Sequence, residues 1–217
     1  MRTVSLVKLR LLSMSALALL TAACAREGQM DQGGIYVVRS TCPQPGIPAG
    51  TGDVTLFDPP GSTDARAIDV TATITNLRVS CDESGDQVVS TAGFDVVAIR
   101  RDAGAARQVV LPFFNVVMRG GTSVAAKRIG AVALDFPAGQ IRAQTSSRVT
   151  VSVHRGAASI PADIRAELVR KRKPGDPDAA VDPMADPRIR DAVALATFEH
   201  LVGFQLSEEQ LRYNATR

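Results

Sequence analysis

The sequence IRAQTSSRVTVSVH, residues 141–154, decides the fold class. Small and apolar side chains occupy one alternating set of positions, from Ile141 to Val153, and polar side chains occupy the other, from Arg142 to His154. A period of two with one polar face is typical of a β-strand that covers a core on one side. We therefore predict a strand here, with His154 on its solvated face.

Similar alternation extends toward the N-terminus. Further strands are predicted at residues 35–39, 53–57, 68–81, 88–100, 108–118 and 124–136. A phase slip near Asn76 indicates a β-bulge. Short glycine-bearing connections, including 102–104 and 137–139, are typical of hairpin loops, so neighbouring strands should run antiparallel. About seven such strands predict a mainly β fold, an antiparallel immunoglobulin-like β-sandwich.

The periodicity becomes helical after residue 156. Pro161 to Lys173 predicts a helix with acidic residues early and basic residues late, which the helix dipole favours. A second helix is predicted from Arg188 to Val202, with Asp186 as its N-cap. We expect a sandwich domain over residues 35–156 and a helical segment over residues 157–217 that packs on it.

A last short helix is predicted near the C-terminus. Ser207 and Gln210 have the spacing of a capping box, in which each side chain bonds the other residue's backbone N–H.

The first residues have the features of an export signal. Arg2, Lys8 and Arg10 precede an uncharged stretch from Leu11 to Ala25, in which Thr21-Ala22-Ala23 precede Cys24. The uncharged stretch is shorter than the roughly 18 to 20 apolar residues that span a bilayer. Residues 1–23 are therefore predicted to be a signal peptide, and residues 24–34 a tether.

The segment around Cys24 resembles the lipobox of bacterial lipoproteins, although Thr21 stands where that family prefers leucine. The resemblance implies that Cys24 carries a lipid such as palmitate and becomes the new N-terminus. Ala25 after the cysteine then implies sorting to the periplasmic side of the outer membrane. Cleavage after Ala25, which would release a soluble periplasmic protein, is the alternative.

The mature chain also resembles a group of uncharacterised envelope lipoproteins from alphaproteobacteria. The similar stretches are GDVTLF (residues 52–57), LVGFQL (201–206) and LRYN (211–214). This resemblance implies an envelope location and carries over no catalytic residues.

Charge and cysteine content agree with that compartment. Removal of residues 1–23 leaves 22 basic and 22 acidic residues, so a nucleic-acid partner has no support from charge. Cys42 and Cys81 then remain, and in an oxidising periplasm they predict one disulfide. A loop of about 40 residues closed in this way is stabilised by roughly 4 kcal/mol in the chain-entropy model. A redox pair or a zinc site is disfavoured, because there is no C-x-x-C spacing and the two histidines stand alone.

Motifs for phosphate loops, zinc proteases, nucleophile elbows and EF-hands are missing from the sequence, so no cofactor and no catalytic residue is predicted. His154 is interpreted as a solvated residue and His200 as a hydrogen-bonded packing residue. The alternative is an enzyme whose site only the fold assembles. That alternative requires a deep pocket that places one of these histidines beside a carboxylate or hydroxyl.

Two groups of charged residues are candidate binding sites. The basic group could hold anionic lipid or lipopolysaccharide phosphates, or it could be a solvated helix end. The acidic group could ligate calcium, although its prolines favour a stiff linker. The basic residues are Arg165, Arg170, Lys171, Arg172 and Lys173, and the acidic residues are Asp176, Asp178, Asp182 and Asp186.

The strand from Val109 to Val117 is apolar on both faces. It is either a central strand with one face under the C-terminal helix, or part of a face that binds a partner. The function expected from the sequence is therefore a non-catalytic binding or scaffolding role in the envelope. The expected partners are the membrane, through the lipid on Cys24, and an envelope protein or glycan.

Overall fold

The computed structural model describes residues 40–216, and the backbone of two short antiparallel strands before them, β1 (Met30–Asp31) and β2 (Gly34–Ile35). The predicted signal peptide, Cys24, most of the tether and most of the strand expected at 35–39 lie outside the described residues. Among the described residues, 40–170 and 180–216 form one compact unit, and residues 171–179 belong to a second unit. Among the described helices, none has the length and apolar character needed to span a membrane.

The larger unit is a sandwich of two four-stranded sheets, as the alternating sequence predicts. The first sheet contains, in spatial order, β3 (Gln44–Gly46), β10 (Phe198–Phe204), β7 (Arg107–Arg119) and β8 (Ser123–Phe136). The second contains β4 (Asp53–Phe57), β5 (Ile68–Asp82), β6 (Gln87–Arg100) and β9 (Arg142–His154). Within both sheets the pairings are antiparallel, except that β3 runs parallel to β10.

The core lies between the inner faces of the two sheets. Its largest fully buried apolar side chains are Phe94, Phe136, Phe204, Leu134, Val70, Val96 and Val202. Phe94 of β6 meets Phe113 of β7 edge to face, with ring centroids 5.3 Å apart. Removing this apolar surface from water holds the sheets together.

The helix predicted from Arg188 to Val202 is confirmed only in its first half. The chain is helical over Pro187–Leu195 only, and Phe198–Phe204 forms β10 in the middle of the first sheet. Five of the seven residues of β10 (FEHLVGF) are apolar or glycine, without strict alternation, so its pattern resembles that of a buried helix. The expectation of a purely helical C-terminal segment therefore fails at β10.

The described residues include three α-helices, α1 (Ala162–Leu168), α2 (Pro187–Leu195) and α3 (Glu208–Thr216). The N-cap prediction at Asp186 is confirmed, since its carboxylate accepts the Arg188 N–H at 2.8 Å. The capping box is also confirmed, because Ser207 and Gln210 exchange side-chain to backbone bonds of 2.9 and 3.2 Å. Helix α1 ends at Leu168 rather than Lys173, so the basic run lies mostly outside it.

Two of the expected hairpin loops instead cross between the sheets. The connections from β6 to β7 and from β8 to β9 each leave one sheet and enter the other. Arg100, only 5% exposed, joins these two crossings. Its guanidinium donates to the carbonyl groups of Gln140, Ala105, Gly104 and Pro137 at 2.7–3.1 Å, and it lies over the Phe136 ring.

The predicted bulge is confirmed at Asn76. This residue has a φ of 54°, and the register between β5 and β6 shifts between Thr75 and Arg78. Its side-chain amide donates to Asp95 at 2.6 Å, and the Ser146 hydroxyl donates to the same carboxylate at 2.7 Å. These hydrogen bonds, from Ser146 first and Asn76 second, lower the pKa of Asp95.

Candidate functional site

The predicted disulfide is present between Cys42 and Cys81, which are 39 positions apart. Glu83 lies beside it, with Oε1 2.7 Å from Cys42 Sγ. The hydroxyls of Ser40 and Thr41 donate to the Glu83 carboxylate and lower its pKa. Among the described residues these two cysteines and Glu83 form the one group of three possible metal ligands, but both sulfur atoms are in the disulfide.

His200 is fully buried and joins the two sheets through polar side chains. Its ring lies between Ser90 of the opposite sheet and Asn115 of its own sheet, with 0% exposure for His200 and Ser90 and 6% for Asn115. Because Asn115 Oδ1, 2.9 Å away, can only accept, Nε2 carries the proton. Nδ1 then accepts from the Ser90 hydroxyl at 2.8 Å, and burial lowers the pKa of His200. The ring is therefore neutral near pH 7.

The predicted hydrogen-bonded packing role of His200 agrees with this geometry, although the residue lies on a strand. A histidine beside a hydroxyl is also what the enzyme alternative requires, but this ring is sealed within the core. His154 is exposed at the end of β9, where its Nδ1 accepts the Gly156 N–H at 3.1 Å. The two histidines therefore sit in separate environments.

The basic candidate residues do not share one element. Arg165 lies in α1 and donates to the Ile160 carbonyl at 3.2 Å, and Arg170 follows that helix. Lys171, Arg172 and Lys173 belong to the smaller unit. Within that unit Arg172 pairs with Asp178 at 3.2 Å, so one of these cations already has an acidic partner.

The acidic candidate residues make separate local contacts. Asp176 accepts the Lys173 backbone N–H, and Asp178 pairs with Arg172. Asp182 caps the short 3-10 turn Pro183–Ala185, and Asp186 caps α2. This distribution is that of caps and local ion pairs, in agreement with the linker interpretation.

The doubly apolar strand β7 is central in its sheet, as one of the two interpretations requires. The prediction that the C-terminal helix covers one face of β7 is wrong, because the outer face of this strand is exposed at Val110. Val110 on β7 is 56% exposed, and Ile129 on the neighbouring strand β8 is 55% exposed. Between them Phe114 is half-buried, and the Lys127 ammonium group lies 5.3 Å from its ring centroid.

A groove of about 980 Å³ lies between β4, the loop that follows it and helix α3. The rings of Phe57 and Tyr213 line it and meet edge to face, with centroids 5.1 Å apart. The Asn214 side chain holds α3 against the sandwich by donating to the carbonyls of Gly50 and Asp53 at 2.8 and 2.9 Å. Helix α3, which the Asn214 amide fixes to the sandwich, thus forms one wall of the groove, and strand β4 forms another.

The loop wall of the groove is also internally bonded. The Asp58 N–H donates to the Ala67 carbonyl at 2.8 Å, and the Asp64 carboxylate accepts the Arg66 N–H at 2.9 Å. The Ser62 hydroxyl accepts the Asp64 N–H at 3.2 Å. These bonds fix a loop that contributes Ser62 and Thr63 to the lining.

The sequence analysis did not predict the groove, although it did predict or single out segments that form its walls. The stretches GDVTLF and LRYN, which the sequence analysis singled out, supply Phe57 and Tyr213. The capping box at Ser207 predicts helix α3 itself. What the sequence lacks is any local signal that residues 156 positions apart form one aromatic pair.

The chain matches no protein-family model, no curated protein and no solved structure in the comparisons with known proteins. Fold and groove together define it as a disulfide-linked β-sandwich protein with a surface groove at the contact between β4 and α3.

Proposed function

We propose that this protein is a non-catalytic binding module of the bacterial envelope, tethered by a lipid on Cys24, and that the groove beside α3 holds its ligand. The groove carries the proposal. It combines an aromatic pair, hydroxyl groups and a few charged groups on walls that are fixed by hydrogen bonds. Concave sites with apolar rings and a few polar groups are the usual places for ligands.

The disulfide supports a location outside the cytoplasm, where such bonds persist. The sealed environment of His200 supports a non-catalytic role. A general base must reach the proton that it abstracts, and here both ring nitrogens are occupied by Ser90 and Asn115 in the core.

The anchor is tested by intact mass of the protein from bacterial membranes, with a Cys24→Ser form as control. We expect a mass for residues 24–217 plus a diacylglyceryl and an acyl group, less the two hydrogens lost at the disulfide. A product that begins at Arg26 without lipid would overturn the anchor.

The groove is tested by photocrosslinking in the producing cells. Benzoylphenylalanine inserts into C–H bonds of any adjacent molecule, so it does not presuppose the ligand class. We expect a defined adduct when it replaces Thr63, which lines the groove, and none when it replaces Thr122 in the exposed turn between β7 and β8. Equal adducts at the two positions, or none at either, would contradict a binding role for the groove.

A further inference from the structure

The size of the groove favours a ligand with several ring-sized units. Small-molecule sites have volumes of about 300–1,000 Å³, and this groove, at about 980 Å³, lies at the upper end. An isolated ion would leave most of that space to water. The groove therefore suits a ligand that contacts much of its lining rather than a single ion.

The aromatic pair provides an apolar contact surface. Phe57 and Tyr213 are half-buried at the groove, with Leu56 and Pro60 beside them in the lining. Aromatic rings bury large apolar areas and bind groups with weakly positive hydrogens over their faces. The C–H face of a sugar ring has this character.

The polar part of the lining consists mainly of groups that both donate and accept hydrogen bonds. These are the hydroxyls of Ser62, Thr63 and Thr216 and the amide of Gln210, of which Ser62, Thr216 and Gln210 also bond protein groups. Within the described structure, the Thr63 hydroxyl and the Glu209 carboxylate make no hydrogen bond to the protein, so both can bond a ligand. Sugar hydroxyls also donate and accept, and they match such a lining better than a group that only accepts.

Two of the three charged groups in the lining have ion-pair partners. Asp69 is paired with Arg107 at 3.0 Å and Arg212 with Glu208 at 3.9 Å, which leaves the negative charge of Glu209. Recognition of phosphate or a carboxylate by charge uses clustered arginines, and this lining has a single one. The lining therefore disfavours an anionic ligand, and its hydroxyl groups suit an uncharged ligand that is rich in hydroxyls.

On these grounds we propose that the groove binds an uncharged saccharide chain, which packs ring faces on Phe57 and Tyr213 and bonds its hydroxyls to Thr63 and Glu209. This assignment rests on the proposed function of the groove and adds the chemical class of its ligand.

The composition of the chain provides a direct reporter. The protein has no tryptophan and only two tyrosines, Tyr36 and Tyr213. In the full chain, a Tyr36→Phe form keeps Tyr213 as its single tyrosine, so tyrosine emission reports from the groove. This form is titrated separately with chitotriose, cellotriose, inorganic phosphate and the peptide Ala-Glu-Ala.

We expect a saturable change of Tyr213 emission with at least one of the two trisaccharides and none with phosphate or the peptide. Thr63→Arg should weaken that binding at least tenfold, because a long cation then occupies the groove from an exposed position. Thr122→Arg, an exposed threonine outside the groove, should leave the affinity unchanged.

The remaining outcomes separate the two proposals. Saturable binding of phosphate or peptide that Thr63→Arg abolishes, with no trisaccharide response, overturns the saccharide assignment and leaves the groove as a binding site. Trisaccharide binding that Thr63→Arg and Thr122→Arg affect equally places the ligand elsewhere and overturns both. No response to any probe, together with no adduct at Thr63 in cells, also overturns both.

Discussion

Polar side chains in the sandwich interior and those in the groove differ in what they contact. His200 and Arg100 are buried and bond to protein groups. Both ring nitrogens of His200 bond to side chains, and the Arg100 guanidinium donates to backbone carbonyl groups. Thr63 and Glu209 line the groove with no protein partner within the described structure. Interior polar groups stabilise the fold, whereas Thr63 and Glu209 have bonding capacity left for a ligand. Substitutions should therefore lower stability in the first region and affinity in the second.

The largest effect is expected at Arg100. Arg100→Met keeps the apolar contact with Phe136 but removes the donors to four carbonyl groups at the two sheet crossings. Hydrogen bonds from a charged group contribute about 1.5–3 kcal/mol each, and we expect a net loss of about 3 kcal/mol because solvent reaches the loops. Urea unfolding measures this loss. Arg101→Met, at an exposed neighbour, should cost less than about 1 kcal/mol, and equal costs would show that Arg100 does not join the crossings.

A somewhat smaller loss is expected at His200. His200→Leu leaves the Ser90 hydroxyl and the Asn115 amide in the core without the ring that joins them. Unpaired buried polar groups cost about 1–3 kcal/mol, so we expect about 2 kcal/mol in urea unfolding. His154→Leu, at the exposed histidine, should stay within about 0.5 kcal/mol. If both substitutions cost the same, His200 contributes no more than a surface residue.

The buried histidine also predicts a pH dependence. Its pKa in the fold is lowered below 6.5, so the unfolded chain binds the proton more readily. Stability is then fully present above about pH 6.5 and is lost as pH falls from there toward the lowered pKa. The slope can reach at most about 1.4 kcal/mol per pH unit for one proton.

The carboxylates do not obscure this window. Hydrogen bonds lower the pKa of Glu83 and Asp95 below 4.5 and 3.8, so their contributions are lost only at still lower pH. Unfolding measured between pH 7 and pH 5 therefore lies above the range in which the contributions of these two carboxylates are lost. The His200→Leu form should show a nearly flat profile there, and an unchanged slope would assign the effect to another group.

A difference between local patterns and long-range contacts explains what the sequence could predict. Alternation along a strand is local, and it placed β4 through β9 within one or two residues of their observed ends. Capping at Asp186 and Ser207 is local as well. Strand β10 was missed because burial on both faces removes the alternation that identifies a strand.

Long-range contacts had no signal of this kind. Ser90 and His200 are 110 positions apart, and Asn115 and His200 are 85 apart. Glycine-bearing loops have the same composition whether they join neighbours in one sheet or cross to the other. The sheet crossings, the buried polar contact and the groove all follow from how the sheets stack, which a single strand's pattern does not determine.

The smallest effect on stability is expected in the groove itself. Glu209→Gln keeps the size of a side chain that has no protein partner, so unfolding should shift by less than about 0.5 kcal/mol. Saccharide binding should weaken severalfold, because a charged acceptor forms a stronger hydrogen bond than a neutral one. Asp191→Asn is the control, since Asp191 is an exposed carboxylate on α2 that does not line the groove. Tyr213 emission gives the affinity for both forms. If Asp191→Asn weakens binding as much as Glu209→Gln, the carboxylates act only through overall charge, and Glu209 does not contact the ligand.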